Sequence, residues 1–249
     1  MKQAMAGTIH IGCAGWSLRK EHLTLFPVTG THLERYAAPF NCVEINSSFY
    51  RSHRVATYQR WAAATPHDFR FAVKLPKQIT HLNRLSGAGD AIEGFAAEVA
   101  GLGLKLGPVL VQLPPSLAFE ADVVSSFFDK LRTLVLGQVV VEPRHASWFD
   151  EEVTSLLFKR GIGRVAADPA VTPAAAQPLA GNGVTYHRWH GSPRVYYSSY
   201  EQMTLAALAR SLAAQAEPHE AWCIFDNTAA GAAADDALRL AARMARLSA

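Results

Sequence analysis

Eight short apolar runs recur along the chain, and seven of them end in charged or amide side chains. They are IHIGCAG from Ile9, CVEIN from Cys42, FRFAVK from Phe69, PVLVQL from Pro108, VVVEPR from Val139, GRVAAD from Gly163, VTYHRW from Val184 and AWCIFD from Ala221. Between most of them lie segments with apolar residues three and four positions apart, so the order reads strand, helix, strand, helix. Helices are expected over 55–64, 91–102, 121–134, 151–160, 200–216 and 232–247, with a shorter one near 31–38. The stretch PAVTPAAAQPLAGNG, 169–183, carries too much proline and glycine for a sixth helix and predicts an irregular crossover. Eight β/α units in 249 residues predict a single α/β domain over 1–249. Its expected fold is a TIM-type (β/α)8 barrel with its site at the C-terminal ends of the strands.

Alternation within each run assigns its inward side chains, because outward positions pack under helices and are expected to be apolar. Val43 and Ile45 face out, which turns Cys42, Glu44 and Asn46 inward. The same reading turns in Lys74, Gln112, Glu142, Arg144, Asp168 and Asp226. In the seventh run Tyr186, Arg188 and His190 share one side. These polar groups are expected to converge on one mouth, where burying charge needs partners.

Composition narrows the function classes. A hydrophobic content of 49% supplies a large core, and a net charge of +3 is too small to argue for a nucleic-acid or membrane partner by bulk electrostatics. MKQAMAGTIH runs into the first strand without a signal-peptide stretch, and no run approaches membrane-spanning length, so a soluble cytoplasmic protein is expected. Cys13, Cys42 and Cys223 lack C-x-x-C spacing and read as reduced, metal-free core thiols. GLGLKLG, 101–107, follows a helix and precedes a strand, the reverse of a dinucleotide turn, and reads as a helix cap and return turn.

Ordered motifs carry a family resemblance: IGCAGWS at 11–17, FNCVEINSSFYR at 40–51, FRFAVKLP, QITH ending at His81, GPVLVQLPPS, VVVEPRHASW, VAADP, YHRWHG, YYSSY and WCIFDNTAAGAA. They span nearly the whole chain, which resembles the YecE-like family, one of the domain-of-unknown-function families. The resemblance implies a TIM barrel and no established reaction. Two departures stand out. Leu18, Arg19, Lys20 and His22 follow GWS where the family is aromatic-rich, and Asp236 replaces a frequent asparagine, a change expected to touch only a helix.

Glu142, Asp168, His190 and Asp226 are the candidate catalytic residues, as an acid/base set or as hard ligands for a divalent metal. A metal is the less favoured of the two, since no short motif such as H-E-x-x-H is present. Arg144, Arg188 and Lys74 suit a phosphate or carboxylate clamp. Glu44, Asn46, Gln112, Trp16, Tyr50 and Asn227 complete the expected substrate site. Phe49, Trp148, Trp189, Tyr196, Tyr197 and Tyr200 crowd the same loops, as stacking surfaces or as plain loop anchors. Ser17, Ser47 and Ser48 lack a G-x-S-x-G elbow. The leading reading is a hydrolase acting on an anionic small molecule or phosphodiester. One rival is a glycoside hydrolase using paired carboxylates such as Glu44 and Glu142. The other is a non-catalytic ligand-binding or partner-regulating module.

Overall fold

The valine-rich runs become strands covered on both faces, as parallel sheets require; Val139, Val140 and Val141 are all fully buried. In chain order the strands are β1 (Ile9–Cys13), β2 (Cys42–Ile45), β3 (Arg70–Lys74), β4 (Leu106–Gln112), β5 (Val139–Glu142), β6 (Ile162–Arg164), β7 (Ala166–Asp168), β8 (Val184–Trp189) and β9 (Glu220–Phe225). The helices are α1 (His32–Tyr36), α2 (Val55–Ala63), α3 (Gly89–Val99), α4 (Ala121–Leu134), α5 (Glu151–Lys159), α6 (Gln202–Gln215) and α7 (Ala232–Leu247). The structure, a computed structural model, describes residues 7–135, 137–217 and 219–247. Every expected helix forms, α4 and α7 at their expected bounds and the others within a turn. The proline-rich crossover holds only a short 3-10 turn, Pro173–Ala176. Among the described residues no helix is long and apolar enough to cross a membrane.

The single closed sheet is not what the strands build. They form two parallel sheets, β1-β9-β8-β7 and β2-β3-β4-β5-β6. Side chains interrupt the first seam, between β1 and β2. Tyr36 Oη accepts from the Cys13 amide at 2.7 Å and donates to the Cys42 carbonyl at 3.0 Å. The Asn41 amide accepts from Ile11 N at 3.0 Å and donates to Ile9 O at 2.8 Å. These bonds satisfy backbone groups that a ladder would otherwise use. Gly12 permits this close approach, since a Cβ there would lie 2.2 Å from the Cys42 carbonyl oxygen. Direct pairing resumes only at the strand ends, where Ala14 bridges Glu44.

The second seam splits the sixth apolar run. Arg164 pairs antiparallel with Leu179, Val165 N donates to Val141 O at 2.9 Å, and Ala166 then pairs with His187. One apolar cluster lies between strands and helices. A second, of Ala14, Cys42, Ala72, Leu110, Val140, Val165, Val184, Tyr186, Trp222 and Ile224, joins residues of both sheets. The alternation within it confirms the inward reading of six runs. Val165 contradicts the reading of the sixth run, because it packs inward where an outward position was expected.

Candidate functional site

A buried charge network lies where the C-terminal ends of the two sheets meet. Its centre is Arg188 on β8, with a side-chain exposure of 1%. Its guanidinium donates to Glu44 of β2 through Nε (3.0 Å, to Oε2) and Nη2 (2.8 Å, to Oε1). Nη1 donates to Glu142 Oε2 of β5 at 2.6 Å, and Nη2 also reaches Asp226 Oδ2, just past β9, at 3.0 Å. Tyr186, two residues earlier on β8, donates its hydroxyl to Glu44 Oε2 at 3.0 Å. The period of two along β8 thus aims Tyr186, Arg188 and His190 at the same place.

His190 links two of the carboxylates. Its Nδ1 lies 3.0 Å from Asp226 Oδ2, and its Nε2 lies 2.9 Å from Glu142 Oε1. Arg144 Nη2 lies 2.6 Å from the same Glu142 oxygen and 2.9 Å from His190 Nε2. Proton position on Nε2 therefore chooses its partner. Protonated, it donates to Glu142; bare, it accepts from Arg144.

Burial and charge act in opposition on these groups. Burial pushes the Glu142 carboxyl up, but Arg188, His190 and Arg144 together hold it well below the usual carboxylate range. Asp226 is lowered in the same way, with Arg188 and His190 outweighing burial. Burial lowers Arg188, and Glu44, Glu142 and Asp226 reverse this so that its guanidinium stays charged. Such a set persists in low dielectric only when nearly every donor and acceptor is matched.

Two cations remain at the open edge. Arg144 keeps a side-chain exposure of 17%, and its Nε is buried without a hydrogen-bond partner. Lys74, at the end of β3, places its Nζ 4.1 Å from the centre of the Phe49 ring. Among the described residues it has no carboxylate within ion-pair distance. Burial, then Arg188, lowers its ammonium to about 8 against the opposing pull of Glu44, Asp226 and Glu142.

The structure thus gathers Glu44, Lys74, Glu142, Arg144, Arg188, His190 and Asp226 at one site, as their strand parity predicts. Asn46 follows β2 at the same end, with its Oδ1 buried and unpartnered, and Gln112 pairs in register with Glu142. Asp168 does not join them. Val165 takes the inward position, so Asp168 accepts a 2.7 Å hydrogen bond from Tyr200, whose ring packs on Trp189 away from the network. The expectation of a single cleft holding Asp168 is corrected accordingly. Trp16 packs edge-on to Trp61 at 5.0 Å, and Tyr50 is 69% exposed against Phe49.

Asn227 donates to Ser198 O and to Asp236 Oδ2, at 2.9 and 2.7 Å. Asp236 also accepts from Ser199 Oγ and Tyr200 N. It braces the loops after β8 and β9, so it touches far more than the helix expected for it. Glu44 and Glu142, the pair a glycosidase reading needs, are fully buried and clamp one guanidinium. Among the described residues no group of three His, Cys, Asp or Glu side chains is arranged to hold a metal ion. The three cysteines are buried and unpaired.

Two further neighbours of the network are His81, which the sequence left unremarked as a site residue, and Tyr196, which it placed only among the loop aromatics. His81 sits on a π-helical turn, Gln78–Leu82, just after β3, with its ring 5.0 Å from Phe49. Tyr196 stands edge-on to His190 at 6.0 Å, with an unusual positive φ of 69°. The available signal was position alone, since both lie in loops leaving strand ends.

Comparison with known proteins places this arrangement in a wider group. The family model described as protein of unknown function DUF72 matches residues 10–248. The UPF0759 protein YecE of Escherichia coli is 33% identical over 175 residues, covering 67% of this chain and 61% of its own. The match therefore spans less than two thirds of that relative's length. The UPF0759 protein YunF of Bacillus subtilis is 23% identical over 263 residues, with 92% of each chain covered. A DUF72 family protein from Enterococcus faecalis superposes with a TM-score of 0.81 at 20% identity, over 96% of both chains. One from Thermotoga maritima gives 0.77 at 24% identity, over 97% of this chain and 100% of that one. With its motifs, two-sheet fold and family match in agreement, the chain belongs to the DUF72 family, whose members YecE and YunF it resembles.

Proposed function

We propose that this protein is an enzyme that binds an anionic small molecule or phosphodiester at the C-terminal ends of its strands and hydrolyses it. On this reading the two sheets are the halves of one barrel, joined by side-chain bridges at one seam and a strand break at the other. The observation that carries the reading is a pair of cations at the strand ends: Lys74, with no carboxylate within ion-pair distance among the described residues, and Arg144, which is held by Glu142 through Nη2 but keeps its Nε without a partner. Arg188, expected as an anion clamp, gives four hydrogen bonds to Glu44, Glu142 and Asp226 and instead holds the frame together. Recognition passes to Arg144 and Lys74.

Asp226 supplies the acid/base function. It commits Oδ2 to Arg188 and His190, while its side chain retains 8% exposure at the edge. Its carboxylate is ionised at neutral pH, so it can orient and deprotonate a water molecule, with His190 and Glu142 passing the proton inward. Bis(p-nitrophenyl) phosphate and p-nitrophenyl phosphate test both substrate classes. The wild type should hydrolyse one of them, and Asp226→Asn should lose about 10²–10⁴-fold in turnover. Binding of either ester without turnover would favour the ligand-binding module. The absence of both binding and turnover would overturn the reading.

A further inference from the structure

We propose that Lys74 is an imine-forming amine, condensing with the carbonyl carbon of a small anionic aldehyde or ketone held beside Arg144. This rests on the reading of the strand ends as an anion site and names a substrate class for it.

The placement is unlike that of a lysine kept for charge balance. Three carboxylates, Glu44, Glu142 and Asp226, act electrostatically on Lys74, yet all are bonded to Arg188, His190 or Arg144 instead. The amine rests on the Phe49 ring face, in a residue only 6% exposed. Its backbone is held by Ser48, whose single hydroxyl proton lies within reach of Lys74 O at 2.7 Å and Ile45 O at 2.9 Å. His81 faces the same Phe49 ring and binds Thr80 Oγ through Nδ1 at 2.8 Å, which leaves Nε2 for proton transfer. Nucleophile, apolar wall and proton carrier thus share the Phe49 ring, and Arg144 is connected to them through Glu142, which it bonds and which also acts on Lys74. An amine lowered to about 8 also supplies neutral nucleophile near physiological pH.

The chemistry balances without an added reagent. The nitrogen lone pair attacks the carbonyl carbon, an N–C bond forms, and the carbonyl oxygen takes a proton to give a carbinolamine. Loss of the hydroxyl as water breaks the C–O bond and leaves C=N. The second proton lost from nitrogen and the one delivered to the leaving hydroxyl pass through His81, with no change in oxidation state.

Glyoxylate with cyanoborohydride tests this on the full chain, since reduction turns the imine into a stable carboxymethyl amine. The expected result is one adduct, mapped to Lys74, forming much faster than at Lys20, Lys77 or Lys130 and slowed by inorganic phosphate. Acetaldehyde, which lacks the anion, should label Lys74 at least several-fold more slowly. Lys74→Arg keeps a cation and should lose the adduct while still binding phosphate. Adducts scattered over surface lysines, with Lys74 unmodified, would overturn the imine and leave anion binding standing if phosphate still binds. Equal labelling of Lys74 by acetaldehyde and glyoxylate would instead support the reactive amine and remove the anion site.

Discussion

Arg188 and Glu142 show how a few residues can bind a frame together and still constrain its chemistry. Glu142 holds Arg188, Arg144 and His190 at once, so removing its charge strands two buried or half-buried guanidinium groups. Glu142→Gln should lose about 3–5 kcal/mol in urea unfolding, as for one partner of a buried pair. A change within about 0.5 kcal/mol, the range of ordinary surface substitutions, would mean that the network does not hold the sheets. His10 carries a pH prediction. It stacks on Trp222 at 4.3 Å, and burial, then Arg70, lowers it from 6.5 to about 4. The unfolded chain therefore takes a proton at higher pH than the folded one. The resulting stability is complete above 6.5 and is lost as pH falls towards 4. The loss is on the order of 3 kcal/mol. His10→Phe keeps the stacking and should flatten the stability profile over that interval. His187, lowered by burial, contributes a slope of the same sign. A slope unchanged in His10→Phe would refute the assignment.

Strand parity made Glu44, Glu142, Arg188, His190 and Asp226 legible before any coordinates, because charged positions on a two-residue period must point to a common side. The same rule failed at Asp168. It takes apolar positions to be outward, and Val165 fills the apolar interior instead. At the scale of elements the helices were equally legible from their apolar spacing, and Pro169 to Gly183 from its breakers. The seams were not, since they depend on Tyr36 and Asn41 reaching across to backbone groups of β1 and β2 from outside both strands. Tyr36→Phe tests that stitch. It keeps the ring in place and leaves the Cys13 amide and Cys42 carbonyl without their shared partner. About 1–3 kcal/mol should be lost, the cost of unsatisfied buried groups. Faster hydrogen exchange at Cys13 should accompany it. Normal protection at that amide would show that direct strand pairing closes the seam without the hydroxyl.

For the whole molecule, the two sheets meet over an interior that changes from apolar to charged along the strands. Trp222, Tyr186 and Leu110 fill the apolar part, and the Arg188 network follows towards the strand C-termini. This gradient places the Arg188 network at the strand C-termini, which is where recognition should occur. Family membership adds a shared fold to this picture, while the proposed chemistry rests on the edge residues. The most direct test of the central claim is a calorimetric titration of inorganic phosphate into the wild type, Arg144→Met and Lys74→Met at low ionic strength. Saturable binding to the wild type is predicted, weakened roughly tenfold or more in each variant, a difference of about 1.4 kcal/mol, with added salt reducing all three affinities. No saturable heat in the wild type, or three indistinguishable isotherms, would contradict the account.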